Sequence, residues 1–530
     1  MKLSRTKNTL ISSIWGILEK VISIIVPFII RTIIIHKLGE EYAGLNSLFV
    51  SILRVFNMAE LGYAGVIAFS LYKPAADEDT AKISALLSFY RKLFYITGLI
   101  VIGVGISLIP FLHNFVKEDV PPDINLYILY GIYLIETASS YFLYAYKNVL
   151  LNVYQRTDIS SRISILLRLV TYAFQIVVLL TISNYYLYLI FEPVYYILCN
   201  ILVARRVSQL YPDYKCYGTI GKEERKYIYK NIYGLLLSKI SITARRPACA
   251  IIVSATLGLT AVAIFDNYYY VINALTAVQA ILLNSMKGGI GNSIVTESPH
   301  KNHNDMHKFI FMYAWLTGCF SACLVCCYQD FMNLWVGAEL MISNGEMFLF
   351  VLYYYVLSMG DIRYTYHQAA GLYWNKRYYT IVEAFLNIVL AIILLPKLGM
   401  IAVIVSCLIS CLLVNFGYSS RILYQYYFKG EKIKLFYLSH LRYFCVNAIA
   451  CILCWWICSF ISLNGLALLV IKLIVAVVFS SIVFFIVYRK NYLFIESIEF
   501  IYEIVKDILP TRAQKIITTY VRKNSTYKNK

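Results

Sequence analysis

The chain has 530 residues, 60% apolar and only 15% charged, with a net charge of +19. That composition leaves too little polar surface for a soluble protein of this length and specifies an integral membrane protein. The positive charge sits in short connections between apolar runs, which follows the membrane rule and excludes a nucleic-acid partner.

Fourteen apolar stretches follow in chain order, each about long enough to cross a bilayer at ~20 residues per crossing. They cover 10–35, 42–71, 93–112, 124–146, 163–182, 185–204, 231–256, 260–286, 309–329, 347–362, 378–395, 399–418, 443–463 and 465–488. The pattern predicts an all-α, polytopic membrane protein with about 14 transmembrane helices. The tenth stretch closes early, at Asp361 and Arg363. The first is too long for a signal-peptide core and no small-residue cleavage site follows it, so it is expected to stay as a helix of the mature protein.

With the N-terminus placed in the cytoplasm, 37 of the 48 Lys and Arg fall in cytoplasmic segments, three (Lys37, Lys117 and Lys397) in outside loops and eight within spans. This bias predicts that both termini are cytoplasmic. The outside loops are short, the longest running from Asp330 to Glu346, with no room for an external domain. The longest internal connection, Arg205 to Lys230, divides the chain into halves and holds Arg205, Arg206, Lys215, Lys222, Arg225, Lys226 and Lys230. It reads as a positive-inside anchor, with specific lipid or partner binding as the lesser option. After Val487, the spacing of Ile498, Ile501, Ile504 and Ile508, with Leu509, predicts an amphipathic helix against lipid headgroups. The final stretch, Arg522 to Lys530, is expected to be disordered.

A shift of 219 residues lays the first span over the seventh: Lys20 falls on Lys239, Leu38-Gly39 on Leu257-Gly258, and Pro27 on Arg246, one residue before Pro247. A proline in mid-helix frees a carbonyl and permits a kink. Pro27 and Pro247 are therefore expected hinges of two equivalent helices lining a path, as in transporters built from repeated halves. Coincidence competes with this, since proline is common in membrane helices.

Eight bases lie within spans (Lys20, Arg31, Arg54, Arg168, Lys239, Arg245, Arg246 and Lys472), with the acids Glu19, Glu60, Glu136, Glu192, Asp266 and Glu383, besides Asp361 at the closing edge of the tenth. A base at mid-helix costs roughly 2.5 to 3.5 kcal/mol on insertion scales, so these groups face a polar interior. Lys20, Pro27 and Arg31 share a helical face, as do Lys239 and Arg246, because 7 and 11 residues are close to whole turns. Lys20, Arg31, Arg54, Lys239, Arg245 and Arg246 thus make a candidate cationic cavity for a phosphate or pyrophosphate, whose oxygens match the arginine fork. Pairing with Glu inside the bundle, or snorkelling, is the alternative, above all for Lys20, Arg31 and Lys472. Asp266, Glu60 and Glu136 are the candidates for coupling transport to a proton or sodium ion. The membrane potential alone, ~2.3 kcal/mol per charge per 100 mV, is the alternative driving force.

The 13 cysteines lie mostly inside apolar runs, with Cys319, Cys323, Cys326 and Cys327 in one span and Cys451, Cys454 and Cys458 in another; they read as small packing residues. His300, His303 and His307 form a loose group near Asp305 in a polar loop, where a metal site is the lesser reading. There is no phosphate loop, nucleophile elbow or catalytic pair at a useful spacing. No cofactor, metal or catalytic residue is expected, and the chain reads as a transporter, not an enzyme.

Three runs carry a resemblance: "IIIHKLGEEYAGLNSLFVSIL" continuing to "AELGYAGVIAFSLYKP", "GGIGNSIVTESPHKNHNDMHKFIFMYAWLTG" followed by "DFMNLWVGAEL", and "YTYHQAAGLYWNKRYYTIVEAFLNIVLAIILLPKLGMIAVIVS". Over about Lys7 to Tyr427 the chain resembles bacterial polysaccharide flippases of the Wzx type, in the multidrug/oligosaccharidyl-lipid/polysaccharide exporter superfamily. The resemblance implies two six-helix lobes around a V-shaped cavity plus two C-terminal helices. The expected division is 1–204, an N-terminal lobe; 205–230, a cytoplasmic linker; 231–427, a C-terminal lobe; 428–488, two added helices; and 489–530, a cytoplasmic tail. It also implies cationic cavity residues, which Arg31, Arg54, Lys239, Arg245 and Arg246 match by helix; the eighth span offers Asp266 instead of a base.

The function this implies is translocation of undecaprenyl-pyrophosphate-linked oligosaccharide repeat units across the bacterial cytoplasmic membrane by alternating access, for capsule, exopolysaccharide or O-antigen-type glycans. The implied partners are that lipid-linked glycan, the lipid bilayer and other polysaccharide-assembly proteins. A peptidoglycan precursor (lipid II) flippase is the nearest alternative, with the same fold and physics. A multidrug antiporter would favour acidic and aromatic cavity groups, against the net basic set here. A membrane polysaccharide polymerase or glycosyltransferase would need a substantial outside loop with catalytic residues, which the short outside loops argue against.

Overall fold

The computed structural model describes residues 5–56, 60–116, 120–154 and 156–505, with some side chains, including those of 5–14, 55–56, 60–65 and 234–246, outside the description. The described residues form helices and connections, with no strand among them. Chain contacts divide the molecule into two units: Met1–Asn267 with Ile388–Val403, and Tyr268–Asn387 with Ile404–Lys530.

In the first unit, α1 (Arg5–Lys37) is followed by α2 (Glu40–Phe56), α3 (Glu60–Ala76), α4 (Thr80–Leu108), α5 (Leu126–Phe142), α6 (Asn148–Val153), α7 (Thr157–Thr181), α8 (Tyr185–Leu210) and α9 (Lys222–Leu257); α10 (Leu259–Thr296) crosses the division. α1 packs on α7, α7 on α8, and α5 on α8. This unit runs on past the Arg205–Lys230 connection and includes α9, which packs on α2 and α3. Two of its junctions match the sequence repeat. α1 and α9 run unbroken through Pro27 and Pro247, and each stops at a glycine with positive φ, Gly39 at 117° and Gly258 at 96°. Only glycine takes that conformation at little cost, so it ends the helix there.

The second unit is built around α11 (Pro299–Val336), with α12 (Asn344–Ser358), α13 (Asp361–Ala369), α14 (Tyr373–Leu398), α15 (Met400–Ser410), α16 (Ser419–Tyr426), α17 (Ile433–Ser459), α18 (Gly465–Tyr488) and α19 (Tyr492–Val505). α11 is the hub: α12, α17, α18 and α19 all pack on it. The apolar window of α11 is 67% buried, against 17% for α18, so α18 leaves most of its surface uncovered by the protein. Cys326, Cys454 and Cys458 pack with Ala322 and Ala476 as small apolar side chains where α11, α17 and α18 approach closely.

Every one of the fourteen predicted spans coincides with a helix or a consecutive helix pair among the described residues. Among the described residues eight helices are long and apolar enough to cross a membrane on their own, and nine if the pair Leu126–Phe142 and Ala145–Val153, bent by 49°, is counted as one span. The second span is covered by α2 and α3. The tenth is covered by α12 and α13, because Met359 caps the end of one helix and Gly360 the start of the next.

The tail is where expectation and structure part. In α19, Leu493, Phe494 and Ile495 are buried and Ile498 packs against the same core, beside Phe311 and Tyr488. The apolar face covers protein before it can meet headgroups, while Ile501 is exposed. The Ile504 side chain, Ile508, Leu509 and the stretch from Arg522 to Lys530 lie outside the described residues.

Candidate functional site

The first unit holds a buried charge network on α5, α7 and α8. A three-residue connection joins α7 to α8, and Asn184 caps α8 by accepting from the Leu187 N–H at 2.9 Å. The two helices therefore run antiparallel. Arg168 Nη1 donates to Glu192 Oε2 at 2.7 Å, and Gln175 Nε2 donates to Glu192 Oε1 at 3.0 Å. Both carboxylate oxygens are thus held. The guanidinium lies 3.5 Å from the Tyr195 ring centre and 5.3 Å from that of Tyr196, which adds cation–π attraction in a dry setting. Glu136, half-buried on α5, is near enough to feel the charges of both Glu192 and Arg168.

Beside this network lies a polar cavity of about 410 Å³, lined by Glu19, Ser140, Asn148, Ser164, Tyr196 and Asn200 among others. Ser164 and Tyr195 share a hydrogen bond at 2.8 Å, joining the cavity wall to the Arg168 environment. Toward α2, Tyr133 bonds both Asn46 and Tyr185, and Tyr185 donates to the Tyr42 carbonyl at 3.4 Å. Two acids, one base and a chain of hydroxyls next to a cavity are groups that can hold a proton or a small cation out of lipid.

The sequence-derived candidates separate into groups. Arg31 is buried, and its Nε donates to Asn267 Oδ1 at 2.6 Å, Nη1 to Ser47 Oγ at 3.2 Å and Nη2 to the Ala263 carbonyl at 3.3 Å. It ties α1 to α2 and α10. Asp266 is buried next to Asn267 on α10. Lys20 is exposed on α1, and Arg54 is exposed in the last turn of α2. Pro27 is half-buried and Pro247 buried. Lys239, Arg245 and Arg246 lie on α9 and Glu60 opens α3, but their side chains are outside the description. Lys472, on α18, bonds Asp330 of α11 at 2.5 Å.

The sequence reading placed Arg168 and Glu192 in spans but did not join them. The signal was present: 168 and 192 are centred on position 180, within one helical turn of the 182–184 connection, so an antiparallel pair brings them to similar depth. Arg363 was missed altogether. It reads as a connection charge but is only 1% exposed. Its Nη1 donates to the Phe416 carbonyl at 3.2 Å and Ser420 Oγ at 3.0 Å, and its Nη2 to Asn415 Oδ1. The segment Cys411–Tyr418 is a π-helix, whose i→i+5 pairing shifts carbonyls out of the usual ladder and gives Arg363 acceptors. No group of three or more metal-ligating side chains occurs among the described residues.

The fold matches that of the lipid II flippase MurJ in its inward closed conformation, with a TM-score of 0.66 and 16% identity, over 90% of this chain and 99% of that one. This chain has the fold of that flippase. It is also similar to an inward-facing MATE multidrug resistance transporter of the MOP superfamily (TM-score 0.56, 12% identity, 74% of this chain and 93% of that one). An outward-facing MATE structure matches at TM-score 0.55 and 13% identity, over 79% of this chain and 96% of the other. No family model and no curated protein sequence matches. The structural neighbours are transporters and a flippase, not enzymes, and all are multi-helix membrane proteins.

Proposed function

We propose that this protein is a flippase of the MOP superfamily that carries an undecaprenyl-pyrophosphate-linked oligosaccharide repeat unit across the cytoplasmic membrane by alternating access, with both termini in the cytoplasm. The observation that carries this reading is the fold shared with a lipid II flippase over 90% of the chain. Arg54, Lys239, Arg245, Arg246 and Lys20 are the bases assigned to the diphosphate, since phosphate oxygens match arginine donors and the groups need no covalent chemistry. Arg31 belongs to the same set and also braces α1 through its three hydrogen bonds. Pro27 and Pro247 are the proposed hinges, and Glu136, Glu60 and Asp266 the proposed coupling acids. Glu136 is favoured by its place beside Arg168 and Glu192.

The test is reconstitution in liposomes with a fluorescent lipid-linked sugar, scoring exchange between leaflets. Arg54→Ala and Arg246→Ala are expected to abolish exchange at normal protein levels; unchanged exchange in both removes the cationic assignment. A second reading, a flippase for the peptidoglycan precursor, is favoured by the substrate named for the MurJ neighbour. Complementation of a strain depleted of its own precursor flippase separates the two.

A further inference from the structure

A second cleft, of mixed apolar and cationic lining, lies away from the charge network, on the face of the first unit where α4 meets the segment leading into α9. Its cavity of about 120 Å³ is lined by Ser88, Phe89, Lys92, Thr219, Arg225 and Tyr229 among others. It is large enough for several waters, which a tetrahedral phosphate group displaces. Two braces fix its shape: Lys82 of α4 forms an ion pair with Glu224 of α9, and the Phe89 and Tyr229 rings meet edge to face at 5.6 Å. Gly218, at φ +84°, lets the connecting segment lie against Ala85.

The electrostatics are one-sided. The side chains of Lys92, Arg225, Ser88 and Thr219 have no hydrogen-bond or ion-pair partner among the described residues, while the neighbouring Glu224 is engaged by Lys82. Ser88 is only 5% exposed, so its hydroxyl is a largely desolvated group in the cleft wall. Above the cleft the same helix turns apolar side chains outward: Ile96, Leu99, Ile100 and Ile106 are each more than half exposed. Lys92 sits one turn below Ile96. At 1.5 Å per residue the stripe from Ile96 to Ile106 is ~15 Å long, about half of a ~30 Å hydrocarbon core and so the depth of one leaflet. Two unpartnered cations at the foot of a leaflet-deep apolar stripe have the layout of a lipid with an anionic head.

We propose that this cleft binds the phosphate of an anionic glycerophospholipid, with Lys92 and Arg225 on the phosphate, Ser88 and Thr219 donating hydroxyls, and an acyl chain along the α4 stripe. The proposal does not depend on the transported substrate, and its readout is lipid retention, not transport. The full chain, purified in detergent, is titrated with phosphatidylglycerol or phosphatidylcholine and bound lipid is counted by native mass spectrometry. One phosphatidylglycerol is expected to be retained in preference to phosphatidylcholine, and more weakly as salt rises. Neutralising each base is expected to weaken retention about five-fold, so Lys92→Gln with Arg225→Gln weakens it roughly 25-fold, while Lys226→Gln leaves it unchanged. Equal retention of the two lipids by the unaltered chain overturns the proposal without recourse to variants. So does full retention by a folded double variant. Displacement of the lipid by soluble glycerol 3-phosphate at matched concentration assigns the cleft to a free phosphate and overturns the lipid.

Discussion

Arg168 and Glu192 meet at 2.7 Å across two helices joined by a three-residue connection, and Gln175 holds the second oxygen of the same carboxylate. Both side chains are mostly buried, at 17% and 18% exposure. Removing one partner leaves a desolvated charge, which costs about 3–5 kcal/mol, more than the pair contributes when intact. Arg168→Ala is therefore expected to lower the thermal midpoint more than the double change Arg168→Ala with Glu192→Ala. Thermal unfolding in detergent of the two single variants and the double variant checks this, and a double variant as unstable as the sum of the singles would contradict it.

Glu136 stands within reach of that pair. If it is the coupling acid, Glu136→Gln leaves downhill exchange of lipid-linked sugar intact but removes the acceleration by an imposed proton or sodium gradient. Initial rates in liposomes with and without each gradient decide it. A variant that keeps the full gradient response transfers the role to another acid.

Gly44 on α2 faces the start of α10. A Cβ at Gly44 would lie 2.3 Å from the Leu259 carbonyl oxygen, a backbone atom that cannot swing aside. Gly44→Ala is expected to cost roughly 1–3 kcal/mol through overpacking, seen as a lower thermal midpoint and a lower folded yield. An unchanged midpoint would mean that α2 and α10 do not approach this closely.

Glu431, in the connection between α16 and α17, accepts from His300 Nδ1 at 2.7 Å. That hydrogen bond, helped by the nearby His303 and His307 and opposed by partial burial, holds its carboxyl below the usual range. A carboxyl whose folded-state value is depressed adds stability above its ordinary value and loses it as pH falls through the folded-state value. The midpoints of the natural chain and of Glu431→Gln are therefore expected to differ near neutral pH and to converge in acid. Melting curves over an acid-to-neutral pH series test the convergence.

Arg31 donates to Asn267, Ser47 and the Ala263 carbonyl from three nitrogens. A lysine has a single ammonium and cannot reproduce that fork. Arg31→Lys is expected to lower stability by about 1–3 kcal/mol, since buried acceptors are left unpaired. Thermal unfolding measures it, and full stability in the lysine variant would remove the bracing role.

The helices themselves were legible because their signal is local. An apolar run long enough to cross lipid names its own solvent, and the loop lysines and arginines mark its ends. The glycines at 39 and 258 likewise announce helix ends, since few other residues tolerate positive φ. The burial of Arg363 was not legible: its acceptors lie 52 to 57 residues away, on a π-helical segment and the first turn of α16 after it, and the departure from the α ladder carries no composition signal. The α19 face was read as lipid-seeking because an apolar stripe looks the same whether it covers headgroups or the Phe311 core.

The sequence alone determined that this chain lives in lipid and which stretches of it are helical. Tertiary structure decided which side chains meet: Arg168 with Glu192, Lys472 with Asp330, Arg31 with Asn267. The reason is that lipid and protein interior are equally apolar, so a membrane helix need not show which side faces its neighbours. Rotation and depth, which bring two distant side chains within 3 Å, are set by packing.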